Sequence, residues 1–333
     1  MAEKHLYEIK HIETSFRTDG KMFKAIEDVS LYLNPGEIIG IVGESGSGKS
    51  VTMMSALQLI QEPGKVTGGE VYLDGNDKNM LEYGSNSAEV RKMRGGRVSM
   101  IFQEPMTSLN PVYPVGKQVQ EAILLHQKVS KEEAKQRVLD IFRAVGIPEP
   151  EKRYKSYPHQ LSGGLRQRVM IGMAMVCRPK VMIADEPTTA LDVTIEAQIL
   201  QLMKKLCEEQ ETSIILITHN MGVVAEICDY VYVMYAGRVM EQAETFELFD
   251  HTAHPYTKGL LKSIPKLDGQ EDRLYTIEGV VPNLLHLPKG CRFCTRCECA
   301  TERCFEEGPE LYETAEGHKV RCFLSEEVAE DGK

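Results

Sequence analysis

Gly43-Glu44-Ser45-Gly46-Ser47-Gly48-Lys49-Ser50 has the spacing G-x-x-x-x-G-K-[ST] of a phosphate-binding loop. The apolar run Ile38-Ile39-Gly40-Ile41-Val42 before it reads as a short buried strand, and Val51 to Ile60 after it as a helix, the setting such a loop requires. Its glycines let the backbone curl until consecutive N–H groups point inward, and the helix adds the positive end of its dipole at the same spot. Gly43, Ser45, Gly46, Ser47, Gly48, Lys49, Ser50 and Val51 are therefore candidate contacts to a nucleotide's phosphates. Lys49 is placed to reach the terminal phosphates as a point charge, and the Ser50 hydroxyl to hold Mg²⁺. Strand, loop and helix together predict an α/β fold.

The 333 residues allow one large α/β domain plus a smaller appendage, and 42% hydrophobic with 26% charged residues is the make-up of an ordinary globular protein. A formal charge of -10 counts against a nucleic-acid surface as the main function, since such surfaces need clustered basic groups. Apolar runs such as Val169 to Cys177 fall short of the ~18 residues of a membrane helix, and Met1-Ala2-Glu3-Lys4-His5 is no apolar signal region. Membrane association is expected through a partner. Of nine cysteines, six fall between Cys291 and Cys322, whereas Cys177, Cys207 and Cys228 sit in apolar or helical contexts that suit core packing. In a cytosolic chain such a cluster more often binds metal than forms disulfides.

Further along, residues Leu6 to Leu33 alternate as strands and carry Phe16 and Phe23, either of which offers a flat face to an adenine ring. Val66 to Asp74 reads as a hairpin arm. Arg97 to Phe102 reads as a strand that delivers Gln103, whose carbonyl suits Mg²⁺ or water, and Val115 to Gly146 is helical in period. Leu161-Ser162-Gly163-Gly164-Leu165-Arg166-Gln167 opens a helix reaching Cys177, and its capped N-terminus suits a second anion. Val181-Met182-Ile183-Ala184-Asp185-Glu186 is a buried parallel strand ending in two carboxylates: Asp185 is placed to hold Mg²⁺ and Glu186 to act on water. Thr194 to Gln210 is an amphipathic helix, Thr212 to Thr218 a strand, and His219 follows at its carboxyl end, where ligand sites of open α/β sheets collect. Tyr230 to Tyr235 and Arg238 to Met240 complete the sheet, Phe246 to Ile264 forms short helices, and the segment from Pro265 to Gln270 reads as a linker.

The ordered set resembles an ATP-binding cassette subunit over roughly Leu6 to Thr245: Walker A at Gly43 to Ser50, Q-loop at Gln103, signature at Leu161 to Gln167, Walker B at Val181 to Glu186, Asp192 after Ala190-Leu191, and His219. That resemblance implies a RecA-like core with an antiparallel β subdomain and a helical subdomain at about 104–178. It implies that two cassettes pair head to tail, with ATP between the Walker A loop of one and Ser162-Gly163-Gly164 of the other. Glu186 is then the catalytic base, His219 a γ-phosphate contact, Gln103 a sensor touching Mg²⁺ with Ser50 and Asp185, and Phe16, ahead of Phe23, the adenine-stacking ring.

Gln103 to Pro111, His254-Pro255-Tyr256-Thr257-Lys258-Gly259-Leu260-Leu261 and the tail from Gly290-Cys291-Arg292-Phe293 are similar to ATPase subunits of dipeptide and oligopeptide permeases, a group that includes nickel importers. The cassette is expected over 1–264 and the cysteine-rich extension over 265–333, with a solvated acidic end from Phe323 on. Cys291, Cys297, Cys304 and Cys322 resemble the thiolates that hold a [4Fe–4S] cluster in some members, with Zn²⁺ as the alternative and Cys294 and Cys299 as surplus thiols. The implied partners are a second, different cassette chain, two transmembrane permease subunits and an extracytoplasmic substrate-binding protein, with this chain peripheral on the cytoplasmic face of the membrane. A soluble cassette acting on ribosomes or DNA is the competing class, disfavoured by one signature and no heptad run.

Overall fold

The structure, a computed structural model, describes residues 5–18, 20–103, 108–188, 192–264 and 275–326. The strands in chain order are β1 (Tyr7–Thr18), β2 (Lys21–Leu33), β3 (Ile38–Val42), β4 (Gly64–Leu73), β5 (Val98–Ile101), β6 (Val181–Asp185), β7 (Ser213–Thr218), β8 (Tyr230–Tyr235), β9 (Arg238–Glu244), β10 (Tyr312–Ala315) and β11 (His318–Val320). The chain divides into two compact units, one drawn from Met1–Leu33, Ile38–Glu82 and Thr218–Lys333, the other from Asn34–Glu37 and Tyr83–Ile217.

In the first unit β1 pairs antiparallel with both β2 and β4, so that β4, expected as a hairpin arm, lies beside the sequence-distant β1 instead. Ile9, Ile12, Ile26, Val29 and Val71 from these strands are buried. The remaining strands run in the order β10, β11, β9, β8, β3. Strand β3 lies parallel to β8, and β8 turns through Ala236 (φ 45°) and Gly237 (φ 84°) into antiparallel β9. Two positive φ values in a two-residue connection mark the tight hairpin that matches strand twist. Strand β11 of the tail then pairs with β9 through Lys319 and Val320, so the extension continues this sheet. Nothing in the sequence reading anticipated that.

In the second unit β5, β6 and β7 are parallel, and all five residues of β6 are buried. A strand covered on both faces is apolar throughout, which is why Val181-Met182-Ile183-Ala184 shows no alternation. The helices Val115–His126, Lys131–Ala144 and Gly163–Met175 pack on one another around Val119, Ile123, Val138, Phe142, Val169 and Ile171. Apolar residues at three- and four-residue spacing give each helix one such face.

Two expectations need correction. The helix after the phosphate loop runs Lys49–Ala56 rather than Val51 to Ile60. It starts earlier because Gly48, at φ 103°, serves as its cap, and it ends earlier because Gln58 turns to φ 53°. The acidic end does not begin at Phe323: Phe323–Ser325 forms a 3₁₀ turn, Ser325 is buried, and Glu326 pairs with Arg303. The expected linker from Pro265 to Gln270 lies outside the described residues, as do Glu104 to Thr107 and the Ala190-Leu191 pair.

Candidate functional site

Each unit carries its own part of the predicted machinery. In the first, the loop from Gly43 to Gly48 curls around the amine of Lys49, a residue only 5% exposed. Lys49 Nζ donates to the carbonyls of Gly43 (2.7 Å) and Glu44 (3.0 Å) and to Ser47 Oγ (3.5 Å). Only glycine fits at the mouth: at Gly43 φ is 147°, and a Cβ would stand 2.1 Å from the Met234 carbonyl oxygen. A Cβ on Gly48 would meet Ile26 at 2.8 Å. The far side of the loop is seated on the β8–β9 hairpin, where Gly237 N–H donates to the Ser47 carbonyl at 2.8 Å. Val51 lies in the first turn of the helix beyond.

The aromatic candidates stand together near the ends of β1 and β2. Phe16 faces Phe23 in register, their rings stacked at 6.0 Å, and Phe16 also covers Gly64 so closely that a Cβ there would lie 2.5 Å from the ring. His219 is exposed at the carboxyl end of β7.

In the second unit Asp185, 4% exposed, closes β6, and Glu186 follows with φ 44°. A left-handed backbone is uncommon for a residue with a Cβ and marks strain that collects at functional positions. It is held by its own N–H, which donates to the Ile217 carbonyl at 2.9 Å. Gln103 Nε2 donates to Glu186 Oε2 at 2.9 Å, so two of the predicted catalytic side chains, 83 residues apart, meet. The signature helix Gly163–Met175 is capped by Ser162, whose hydroxyl accepts from Leu165 N–H at 3.4 Å. Its N-terminus is open: among the described residues nothing lies within 4 Å of a Cβ at Gly163. Asp192 likewise caps the helix Val193–Gln210 by accepting from Ile195 N–H at 2.9 Å.

The tail gathers Cys291, Cys294, Cys297, Cys299, Cys304 and Cys322 around one small cavity, together with Phe293, Pro309 and Phe323. Burial pushes the thiols of Cys297 and Cys322 up to about 11, and raises Cys291 by the same cause. Thr301 N–H lies 3.5 Å from Cys304 Sγ. Among the described residues, no three His, Cys, Asp or Glu side chains are set to hold a metal ion. Cys177, Cys207 and Cys228 are buried free thiols, raised by burial to about 11, 12 and 12, in keeping with core packing. The sequence reading missed how the tail is fastened. Phe293 packs among Tyr235, Tyr256 and His254, Arg292 pairs with Glu27, and Arg296 pairs with Glu44 inside the phosphate loop.

A phosphate-binding loop leading from a buried parallel strand into a helix defines a P-loop nucleotide-binding protein. The family "ABC transporter" matches residues 26–189, and "Oligopeptide/dipeptide transporter, C-terminal region" matches 240–304. The chain is 49% identical to the oligopeptide transport ATP-binding protein AppD of Bacillus subtilis, over 97% of each chain. It is 48% identical to the oligopeptide transport ATP-binding protein OppD of Haemophilus influenzae, over 97% of this chain and 98% of that one. Among solved structures it resembles the dimeric ATP-binding cassette MJ0796 in a post-hydrolysis state bound to ADP and Pi, with a TM-score of 0.62 and 29% identity over 72% of this chain and 98% of that one. The chain belongs to the ATP-binding subunits of ABC transporters, in the oligopeptide/dipeptide group. It is an ATPase with the cassette fold that its sequence implied, and it works with membrane permease partners. Among the described residues no helix is long and apolar enough to cross a membrane.

Proposed function

We propose that this chain powers the import of oligopeptides, hydrolysing ATP on the cytoplasmic face of the membrane as a peripheral subunit. The observation that carries this reading is likeness along 97% of the chain, tail included, to two oligopeptide transport ATP-binding proteins. Residues 1–264 act as the cassette and 265–333 as the extension. The loop amides of Gly43 to Ser50 and Val51, with Lys49, take the phosphates, and Phe16 takes the adenine. Ser50, Gln103 and Asp185 offer the oxygen atoms that would hold Mg²⁺, and the ion would supply charge neutralisation at the phosphates. Glu186 draws the proton from the attacking water, while Gln103, already bonded to it, and His219 report and steady the γ-phosphate. Ser162, Gly163 and Gly164 serve the nucleotide of a partner cassette, and the openness of that helix end supports the role. The partner cassette is a different chain, beside two permease subunits and an extracytoplasmic binding protein. With purified partners, oligopeptide-loaded binding protein should stimulate ATP hydrolysis; stimulation by a nickel-loaded one instead would reassign the cargo.

The tail is proposed to hold a [4Fe–4S] cluster through Cys291, Cys297, Cys304 and Cys322, where it would supply structural cross-linking rather than redox chemistry. In such a cluster each thiolate binds its own iron and gains from N–H donors to sulfur, as Cys304 does from Thr301 N–H. Zinc instead needs all four sulfurs at about 2.3 Å from one point. Anaerobically purified chain should be brown, with about four irons. Each of those four cysteines should be required for the colour, whereas Cys294→Ser and Cys299→Ser should keep it. Colourless protein carrying one zinc would overturn the assignment.

A further inference from the structure

Between Cys294 and Cys297 the tail carries Arg296, whose side chain is 3% exposed and meets Glu44 with a two-pronged grip: Nη1 to Oε2 at 2.6 Å and Nη2 to Oε1 at 3.1 Å. Its other donors are satisfied as well. Nε donates to the Glu278 carbonyl at 2.9 Å, Nη2 to the Ile277 carbonyl at 3.1 Å, and Nη1 to the Tyr235 hydroxyl at 3.3 Å. All five N–H groups of the guanidinium thus have acceptors, and two of those acceptors belong to a residue one step inside the phosphate-binding loop. Glu44 is gripped at two further points: its N–H donates to the Tyr256 hydroxyl at 2.9 Å, and its carbonyl accepts from Lys49 Nζ at 3.0 Å.

A buried ion pair is weak evidence of a contribution to stability, because desolvation offsets its attraction; what a planar fork supplies is position. Nor is Arg296 needed to attach the tail. Arg292 already pairs with Glu27 and donates to the Ala236 carbonyl, Arg321 pairs with Asp28 at 3.1 Å, and β11 is bonded to β9. Arg296 differs from these anchors in its target, the residue whose carbonyl helps place the amine of Lys49.

We propose that Arg296 is a positioning residue for ATP: through Glu44 it sets the first turn of the phosphate-binding loop, so that the Cys291-to-Cys297 segment of the tail governs nucleotide affinity. This rests on the reading of that loop as the ATP site. Arg296 acts through the backbone of Glu44, fixed from the side chain, the N–H and the carbonyl together.

The test measures equilibrium binding of a fluorescent ATP analogue to the full chain, beside thermal melts. Arg296→Gln and Glu44→Gln should each raise Kd about tenfold. The double variant should be no weaker than either single, because both remove one interaction, and Arg296→Lys should recover part of the loss. Arg303→Gln, which breaks an exposed pair within the tail, should leave Kd unchanged. If Arg296→Gln fails to fold, Glu44→Gln carries the test alone, since it leaves the tail's own residues intact. A lowered Tm with unchanged Kd, or losses that multiply in the double variant, would overturn the positioning role while leaving the ATP site standing. Wild-type chain that bound no nucleotide would overturn both.

Discussion

Glu186, the proposed catalytic base, has a left-handed backbone at φ 44°, a conformation uncommon for a residue with a Cβ. The strain presents the carboxylate to Gln103, whose amide donates to it at 2.9 Å. Glu186→Gln keeps the shape and removes the carboxylate proposed to act as base. ATP turnover by the assembled transporter should fall at least ~100-fold while nucleotide binding persists, read by phosphate release beside analogue binding. Unchanged turnover would move the base elsewhere. The placement of Lys49, Gln103, Asp185 and Glu186 was legible because the signals are local: a glycine-rich loop, two strand ends and a carboxylate pair. What Glu44 does was not legible. Its partner lies 252 positions away in a loop, and a long-range ion pair leaves no periodicity in either segment.

Elements show the same division. The signature helix was readable from Ser162-Gly163-Gly164, since a capping hydroxyl followed by small residues is a local signal for an exposed N-terminus. The open space around Gly163 makes Gly163→Asp a clean test, because among the described residues nothing lies within 4 Å of a Cβ there. The isolated chain should bind ATP as the wild type does, whereas the assembled transporter should lose ATP hydrolysis, the added carboxylate facing a partner's phosphates. Equal loss in the isolated chain would count against the head-to-tail role.

Strands β10 and β11 were invisible, being short and interrupted by charge; only the pairing of β11 with β9, and of β10 with β11, reveals them. That junction holds His318, 2% exposed, whose Nε2 lies 3.0 Å from Glu241 and Nδ1 3.1 Å from Glu247, with His251 on the other oxygen of Glu247. Burial alone would lower the pKa of His318, but the two carboxylates outweigh it and hold it above its ordinary value. A raised folded pKa gives stability that is present below about 6.5 and lost as pH rises through the folded value. Wild-type Tm should therefore fall from pH 6 to pH 9 by a few degrees more than that of His318→Gln. Parallel curves would remove His318 as the cause.

At the scale of the whole molecule, the cassette, the tail and the phosphate loop form a chain of consequence rather than neighbouring parts. The cysteine segment was read from sequence as an appendage; in the fold it sends Arg292, Phe293 and Arg296 toward the phosphate loop and its surroundings, while its thiols line a cavity shared with His254 and Pro255. Composition announced the cysteine cluster and could not announce this attachment, because side-chain direction in an irregular loop follows no period. The claim on which the rest depends is that hydrolysis by this chain drives oligopeptide import, and uptake measures it directly. Proteoliposomes bearing the permease, both cassettes and the binding protein should accumulate labelled oligopeptide when ATP is enclosed inside. They should accumulate none with Glu186→Gln in this chain or with ATP withheld. Uptake undiminished by that substitution, or no peptide uptake with every partner present, would contradict the account.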